Sequence, residues 1–326
     1  MGARILPGCP NWTRSGRSER PNLARRQSNA IAASLWYTTH VHPNFTRILI
    51  LGTTWAVLAG CSSVPARFDA IAERGGLERL TIVGTLFDHI VYASAQTSDA
   101  GPVWVYIEGD GTPWIDEALP SADPTPRVPI ALPAMIARQE PALLVGRPCY
   151  HGLATARPCA PIWWTHRRFA PEVVDSMVAA LQHALEKRGW QDRTVNLIGF
   201  SGGGTLAVLM AAPLLGKQRM CAVVTMASPL DVDEWARSRG YSPMEGSLDP
   251  ALEPPLDRRI RQLHLRGAND RIVSSDNGAE FRRRNPDARF ATIQNLAHGT
   301  EWIEAWVELA RDHSDPTLQT CSRPNG

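Results

Sequence analysis

The sequence predicts an α/β fold: a mostly parallel, doubly wound sheet of eight strands, with helices on both faces and at most a small cap. Three observations carry this expectation. From about residue 66, short β-branched runs alternate with longer amphipathic stretches, the pattern produced by parallel strands joined through crossover helices. Between Pro171 and Arg188, Val174, Met177, Val178, Leu181 and Leu185 recur at three- and four-residue spacing, with a proline at the start and Gly189 as a stop. Finally, the apolar run Val195–Ile198 passes through a glycine-rich turn directly into a second helix-like stretch.

Taken in order, the expected strands are Leu80–Val83, Ile90–Ala93, Val103–Ile107, Ala142–Val145, Val195–Ile198, Ala222–Met226, Ile260–Leu265 and Phe290–Ile293. Each is short, rich in Val, Ile, Leu or aromatic residues, and bounded by turn formers. Helices are expected over Pro171–Arg188, just after Ser201 and near Thr300. Pro120 to Pro133 is proline-rich and predicts an ordered loop leading into a helix. Ser228 to Pro255 lies between two strands and is long enough only for a small cap.

The chain has 326 residues, 44% of them hydrophobic, and a formal net charge of +2, so no broad basic footprint suggests nucleic acid as a partner. The arginines before residue 27 sit among Ser, Asn and Pro and read as a leader without a core. Ile48 to Gly60 is uncharged, apolar or small, and preceded by Arg47. As a helix it would reach about 20 Å at ~1.5 Å per residue, short of the ~30 Å hydrocarbon core of a bilayer. That length suits the apolar region of a signal peptide.

The run ends Leu58-Ala59-Gly60-Cys61 and resembles the lipobox of bacterial lipoproteins, in which the cysteine is lipidated. The resemblance implies a leader and signal over 1–61, a domain over 62–326, and a membrane partner reached through a lipid on Cys61. Ser62 after the cysteine implies sorting to the outer membrane of a bacterial envelope, facing the periplasm. Some forty residues precede the signal where a short basic region is expected, which points to a start nearer Val41. A short buried helix ending in an ordinary cysteine is the alternative.

The six cysteines include no CxxC pair, so zinc and thioredoxin-like sites have no support. Export would favour a Cys149–Cys159 disulfide, with two buried free thiols as the alternative. Cys221 lies in an apolar strand and reads as core, and Cys321 has no assigned partner.

The chemistry centres on Gly199-Phe200-Ser201-Gly202-Gly203, a GxSxG turn between strand and helix. That context places a serine hydroxyl above a sheet at a sharp turn, with small neighbours permitting the bend. The P-loop lysine and the GxGxxG fingerprint of nucleotide sites are both missing, and no cofactor is implied. A serine needs a base, and His298 follows the last strand and precedes the final helix. His40, His42, His89, His151, His166, His183, His264 and His313 lack that position. Asp270 follows a strand and a glycine turn and is the expected orienting acid, with Asp276 as the fallback.

An acyl-transfer site also needs two oxyanion donors. The N–H of Gly202, directly after the serine, is one. The other is expected from Glu108-Gly109-Asp110-Gly111, as the N–H of Asp110 or, alternatively, of Gly111. A carboxylate there would repel an oxyanion, so Asp110 must turn away or pair with a cation such as Arg127 or Arg147. Glu108 and Asp110 as metal ligands is the competing reading, weak without a histidine cluster.

On these residues the chain from about Leu80 to Ala310 resembles the α/β-hydrolase superfamily, whose order Ser, Asp, His it shares. More narrowly it resembles proteobacterial hydrolase lipoproteins with IEGDG, DPTPR, RPC and GYSGGG-like segments, here Ile107–Gly111, Asp123–Arg127, Arg147–Cys149 and Gly199–Gly204. Phe200 stands where that group carries tyrosine. The resemblance supports the Cys149–Cys159 bridge but names no substrate. The serine, histidine and acid together imply a serine hydrolase acting on a small-molecule or lipid-like acyl substrate, a carboxylic ester first, with thioester, amide and peptide bonds open. A non-catalytic envelope lipoprotein using the fold to bind, or an acyltransferase, are the alternatives. Trp114, Trp163 and Trp164 are candidates for lining an acyl pocket.

Overall fold

A computed structural model describes residues 63–95, 101–116, 118–312 and 315–321. The expected leader and signal over 1–61, with the lipidation candidate Cys61, lie outside the described residues.

The eight expected strands are present and form one sheet. They are β1 (Glu78–Val83), β2 (Asp88–Ala93), β3 (Val103–Ile107), β4 (Ala142–Val145), β5 (Val195–Phe200), β6 (Met220–Met226), β7 (Arg261–Gly267) and β8 (Arg289–Ile293). Their spatial order is β1-β2-β4-β3-β5-β6-β7-β8. β2 is antiparallel to both β1 and β4, while every pairing from β4 through β8 is parallel. The parallel strands β3, β4, β5 and β6 are apolar and buried nearly throughout, as strands covered on both faces must be.

Alternation along each strand feeds two cores. On one face Val103, Val105, Ile107, Val195, Leu197 and Val223 pack against α3 (Pro171–Lys187), α4 (Gly202–Leu215), α5 (Val232–Ser238) and Phe281 of α6 (Ala279–Arg284). On the other, Trp104, Tyr106, Ile198, Phe200, Val224 and Leu263 meet α1 (Val64–Arg74), α2 (Ala131–Arg138), α7 (Glu301–Asp312) and α8 (Pro316–Cys321). α3 buries Val174, Met177, Val178, Leu181 and Leu185 as their spacing requires. α4 instead buries eleven of its fourteen residues, and its sequence is accordingly apolar on every side.

After β3 the chain first adds β4 on one side, then crosses to place β5 on the other. The loops leaving the carboxyl ends of β3 and β5 therefore part at a topological switch point, the usual place for a ligand crevice. The segment Ser228 to Pro255 contributes only α5 and irregular backbone, so the cap is small as expected.

The reading of Cys221 as a core thiol needs correction, and Cys321, which the sequence leaves without an assigned partner, has one. Cys149 and Cys159 form a disulfide, and so do Cys221 and Cys321. Cys221 is not a free core thiol: it is the one residue of β6 that is only partly buried, and α8 packs against that strand. A bond between residues 100 apart in the chain leaves no local sequence signature.

Candidate active site

β5 is buried at every position and ends at Phe200; Ser201 then turns the chain into α4 with φ 52° and ψ −129°. This is a left-handed backbone for a residue with a side chain, worth roughly 1–3 kcal/mol of strain. The turn is held by the Ser201 N–H donating to the Met226 carbonyl at 2.8 Å. Two glycines are dictated by contact. A Cβ on Gly199 would stand 2.2 Å from the Gly203 backbone, and one on Gly202 would stand 1.9 Å from Asp110 Oδ1.

The structure brings the expected serine, histidine and acid together. His298 Nε2 lies 3.0 Å from Ser201 Oγ, and its Nδ1 lies 2.7 Å from Asp270 Oδ2. Asp270 Oδ1 accepts from the N–H groups of Ile272 and Val273 at 2.8 and 2.9 Å. Both carboxylate oxygens thus only accept, which fixes the imidazole with Nδ1–H toward Asp270 and Nε2 free to accept from the serine hydroxyl. The Asp270 side chain is wholly buried, while His298 retains 15% exposure and lines a cleft together with Ser201. Phe200 packs against the imidazole at 4.9 Å, and Trp302 Nε1 donates to Ala297 O at 2.8 Å, pinning the loop beside His298. Asp276, the fallback acid, is exposed and does not contact the histidine.

The loop after β3 is more elaborate than its sequence implied. Glu108 is buried, and its carboxylate accepts from the N–H groups of Gly109, Ile130, Ala131 and Leu132, capping the start of α2. Burial pushes its carboxyl up, and the Ala131, Ile130, Leu132 and Gly109 N–H groups pull the other way. Asp110 is paired with two guanidinium groups, Arg147 on Oδ1 and Arg168 on Oδ2, the latter at 2.7 Å. Burial pushes the Asp110 carboxyl up, but Arg168 and Arg147 outweigh it and hold the group down at about 2.

Of the two expected cations, then, Arg147 pairs with Asp110 and Arg127 does not; Arg127 is exposed and lines the cleft. Arg168 was missed, because nothing in Thr165-His166-Arg167-Arg168 marks which arginine turns inward. Glu108 is engaged by backbone N–H groups and Asp110 by two guanidinium cations, so a metal ion there would meet like charge. Gly111, the alternative donor, sits at φ +65° where a Cβ would stand 2.1 Å from Pro124 O.

A cleft of about 1280 Å³ opens above these groups and contains Ser201 and His298. Trp114 lines it, facing Trp235, Tyr241 and Met244 from the small cap. Trp163 and Trp164 do not. Trp164 is buried in the core, and Trp163 packs on Phe87 at 5.2 Å beneath the Arg167 guanidinium.

The chain has the α/β-hydrolase fold. It is similar to a protein of unknown function from Agrobacterium tumefaciens, considered an α/β hydrolase, at 9% identity and TM-score 0.50 over 76% of this chain and all of that one. A bacterial membrane phospholipase A matches at 13% identity and TM-score 0.50, over 79% of this chain and 91% of its own. A puromycin-hydrolyzing peptidase of Mycobacterium tuberculosis matches at 17% identity and TM-score 0.50, over 76% of this chain but only 39% of its own. No protein-family model and no curated protein matches the sequence.

Proposed function

We propose that this protein is a serine hydrolase that cleaves a carboxylic ester through a covalent acyl-enzyme. One observation carries the reading: the continuous chain from Ser201 Oγ through His298 to an Asp270 carboxylate pinned by two backbone N–H groups. In the reaction Ser201 Oγ bonds to the carbonyl carbon as its proton passes to His298 Nε2, and Asp270 stabilises the imidazolium. The N–H groups of Gly202 and Asp110 hold the oxyanion. The imidazolium then gives its proton to the departing alkoxide, and a water activated by the same histidine releases the acid.

Gly202 opens α4, and the first N–H groups of a helix have no partner within it, so this donor is available at a dipole end that favours negative charge. The fold does not choose the bond, since a phospholipase and a peptidase share it. An ester demands less of these groups than an amide does, because its alkoxide leaves more readily than an amine.

The test is labelling of the purified protein with a fluorophosphonate probe, beside Ser201→Ala and His298→Ala. Labelling of the parent that vanishes in both variants supports the reading. A folded, disulfide-bonded parent that takes no label favours the binding-module alternative, and products carrying an acyl acceptor other than water favour the transferase.

We further propose that Cys61 carries a lipid that holds the domain to a bacterial envelope membrane. The order of Arg47, the apolar run and the Leu58–Cys61 box supports this, and two disulfides suit an oxidising compartment. Mass spectrometry of the native protein checks it: an unlipidated N-terminus upstream of Cys61 would rule it out.

A further inference from the structure

Asp110 presents a physical puzzle. A carboxylate beside a developing oxyanion should slow acyl transfer, yet this one lies against Gly202 with 14% of its side chain exposed. Its surroundings resolve the conflict. Arg147 and Arg168, 2% and 7% exposed, each take one carboxylate oxygen. Two buried guanidinium groups and one carboxylate leave one net positive charge.

The arginines are themselves held. Arg147 Nη2 donates to Arg168 O at 3.2 Å, and Arg168 Nε donates to Thr165 O at 2.7 Å. The Arg147 guanidinium lies 5.3 Å from the Tyr150 ring and 5.5 Å from the Phe169 ring. The Tyr150 hydroxyl donates to Asp110 O at 2.9 Å, so the peptide unit that follows Asp110 is fixed independently of its side chain. Arg147 and Tyr150 flank Cys149, whose bond to Cys159 closes their loop.

A second loop completes the bracket. Thr112 N–H donates to Pro124 O at 3.0 Å, Gly152 N–H to Asp123 Oδ2 at 3.2 Å, and His151 N–H to Thr125 Oγ1 at 2.6 Å. The IEGDG, DPTPR and RPC segments are therefore one interlocked unit.

We propose that Arg147, Arg168 and Tyr150 are positioning residues of the oxyanion site. The two guanidinium groups draw the Asp110 carboxylate aside, so that its main-chain N–H faces the reacting carbonyl, and their surplus positive charge lies beside the developing oxyanion. This rests on the hydrolase reading. It goes beyond it by giving the acidic loop a purpose: a carboxylate serves as the handle by which buried cations set the backbone donor.

The experiment compares kcat, KM and inhibition by an aryl boronic acid, with a nitrophenyl ester as substrate, in the full chain with both disulfides intact. Arg147→Met should lower kcat by about 10²–10³-fold, the scale for losing an oxyanion donor, with KM changed less than about threefold. Boronic acid affinity should fall with kcat, because its tetrahedral adduct carries the oxyanion. Adding Asp110→Asn to Arg147→Met should recover kcat by at least about tenfold, since with Arg168 still in place it restores the surplus positive charge that the lost arginine supplied.

Tyr150→Phe removes one hydroxyl from a buried ring and carries the test if Arg147→Met does not fold; about a tenfold loss of kcat is expected, roughly one broken positioning contact. Variants that fold and keep kcat within about twofold overturn the inference while leaving an active wild type, and with it the hydrolase reading, intact. Losses shared equally by KM and boronic acid affinity, or no recovery in the double variant, overturn it as well. Turnover that survives Ser201→Ala unchanged overturns both readings together.

Discussion

The two sides of Ser201 are built on different physics. The side proposed for acid–base work hangs on loops after β7 and β8, at the edge of the sheet, where β8 has no fully buried residue. Its partners are joined by hydrogen bonds to one carboxylate and to backbone. The side proposed to hold the oxyanion grows from β3, in the sheet interior, and is held by a buried ion triad and a disulfide. Proton transfer tolerates a hinge, because the imidazole must meet both the serine and a leaving group. A backbone donor must instead stand still, and mutually paired, largely buried charges provide that rigidity.

The largest expected effect breaks the acid–base side. Asp270→Asn should lower kcat by about 10⁴-fold with little change in KM, because an amide no longer fixes the imidazole tautomer. Steady-state kinetics with an activated ester checks it. The next breaks the oxyanion side. Gly202→Ala would drive a methyl group to 1.9 Å from Asp110 Oδ1, so the carboxylate or the turn must shift. A fall in kcat of about 10²-fold is expected, on the scale of one lost donor, with fluorophosphonate labelling slowed in parallel.

The disulfides sharpen the comparison. Replacing Cys149 and Cys159 by serine opens a short loop, costing about 3 kcal/mol on the chain-entropy model, and should also reduce kcat. Replacing Cys221 and Cys321 opens a loop of 100 residues and should cost more stability, about 4–5 kcal/mol, while kcat holds. Denaturant melts beside turnover measurements separate the two.

Acid stability gives a smaller effect. Burial lowers the His89 pKa from 6.5 to about 4, with its ring nitrogens engaged by Gly146 O and Ser176 Oγ. The unfolded chain therefore binds the proton first, so stability is full above 6.5 and falls as the pH drops from there toward 4. His89→Gln should reduce the slope of that part of the stability curve, with His151 and His264, both lowered to about 3 by burial, still contributing. The smallest expected effect is Asp276→Asn, which should leave kcat and stability unchanged, since this exposed acid touches neither His298 nor Ser201.

Legibility follows the same division. Eight strands, the long helix, and Ser201, Asp270 and His298 were readable because each depends on local order: an apolar run, a glycine turn, a residue at the strand's end. The boundaries shifted by a residue or two, and α1, α5, α6 and α8 went unread, being short and shaped by packing. Arg168 and the Cys221–Cys321 bond escaped for another reason. Both join segments far apart in the chain, and no spacing rule says which arginine or which cysteine the fold will bring inward.

The Cys221–Cys321 bond also determines what a protease can do to this molecule. Asp270 and His298 both lie within the covalent ring it closes, together with β7, β8 and α7. A single cut anywhere between residues 221 and 321 converts the chain into two pieces that remain one molecule. A nick at the exposed turn around Gly240 would thus release no fragment, and Asp270 and His298 would stay tethered through Cys321 to the strand beside the serine. On a gel the nicked protein would run whole until a reducing agent was added, and then as two bands.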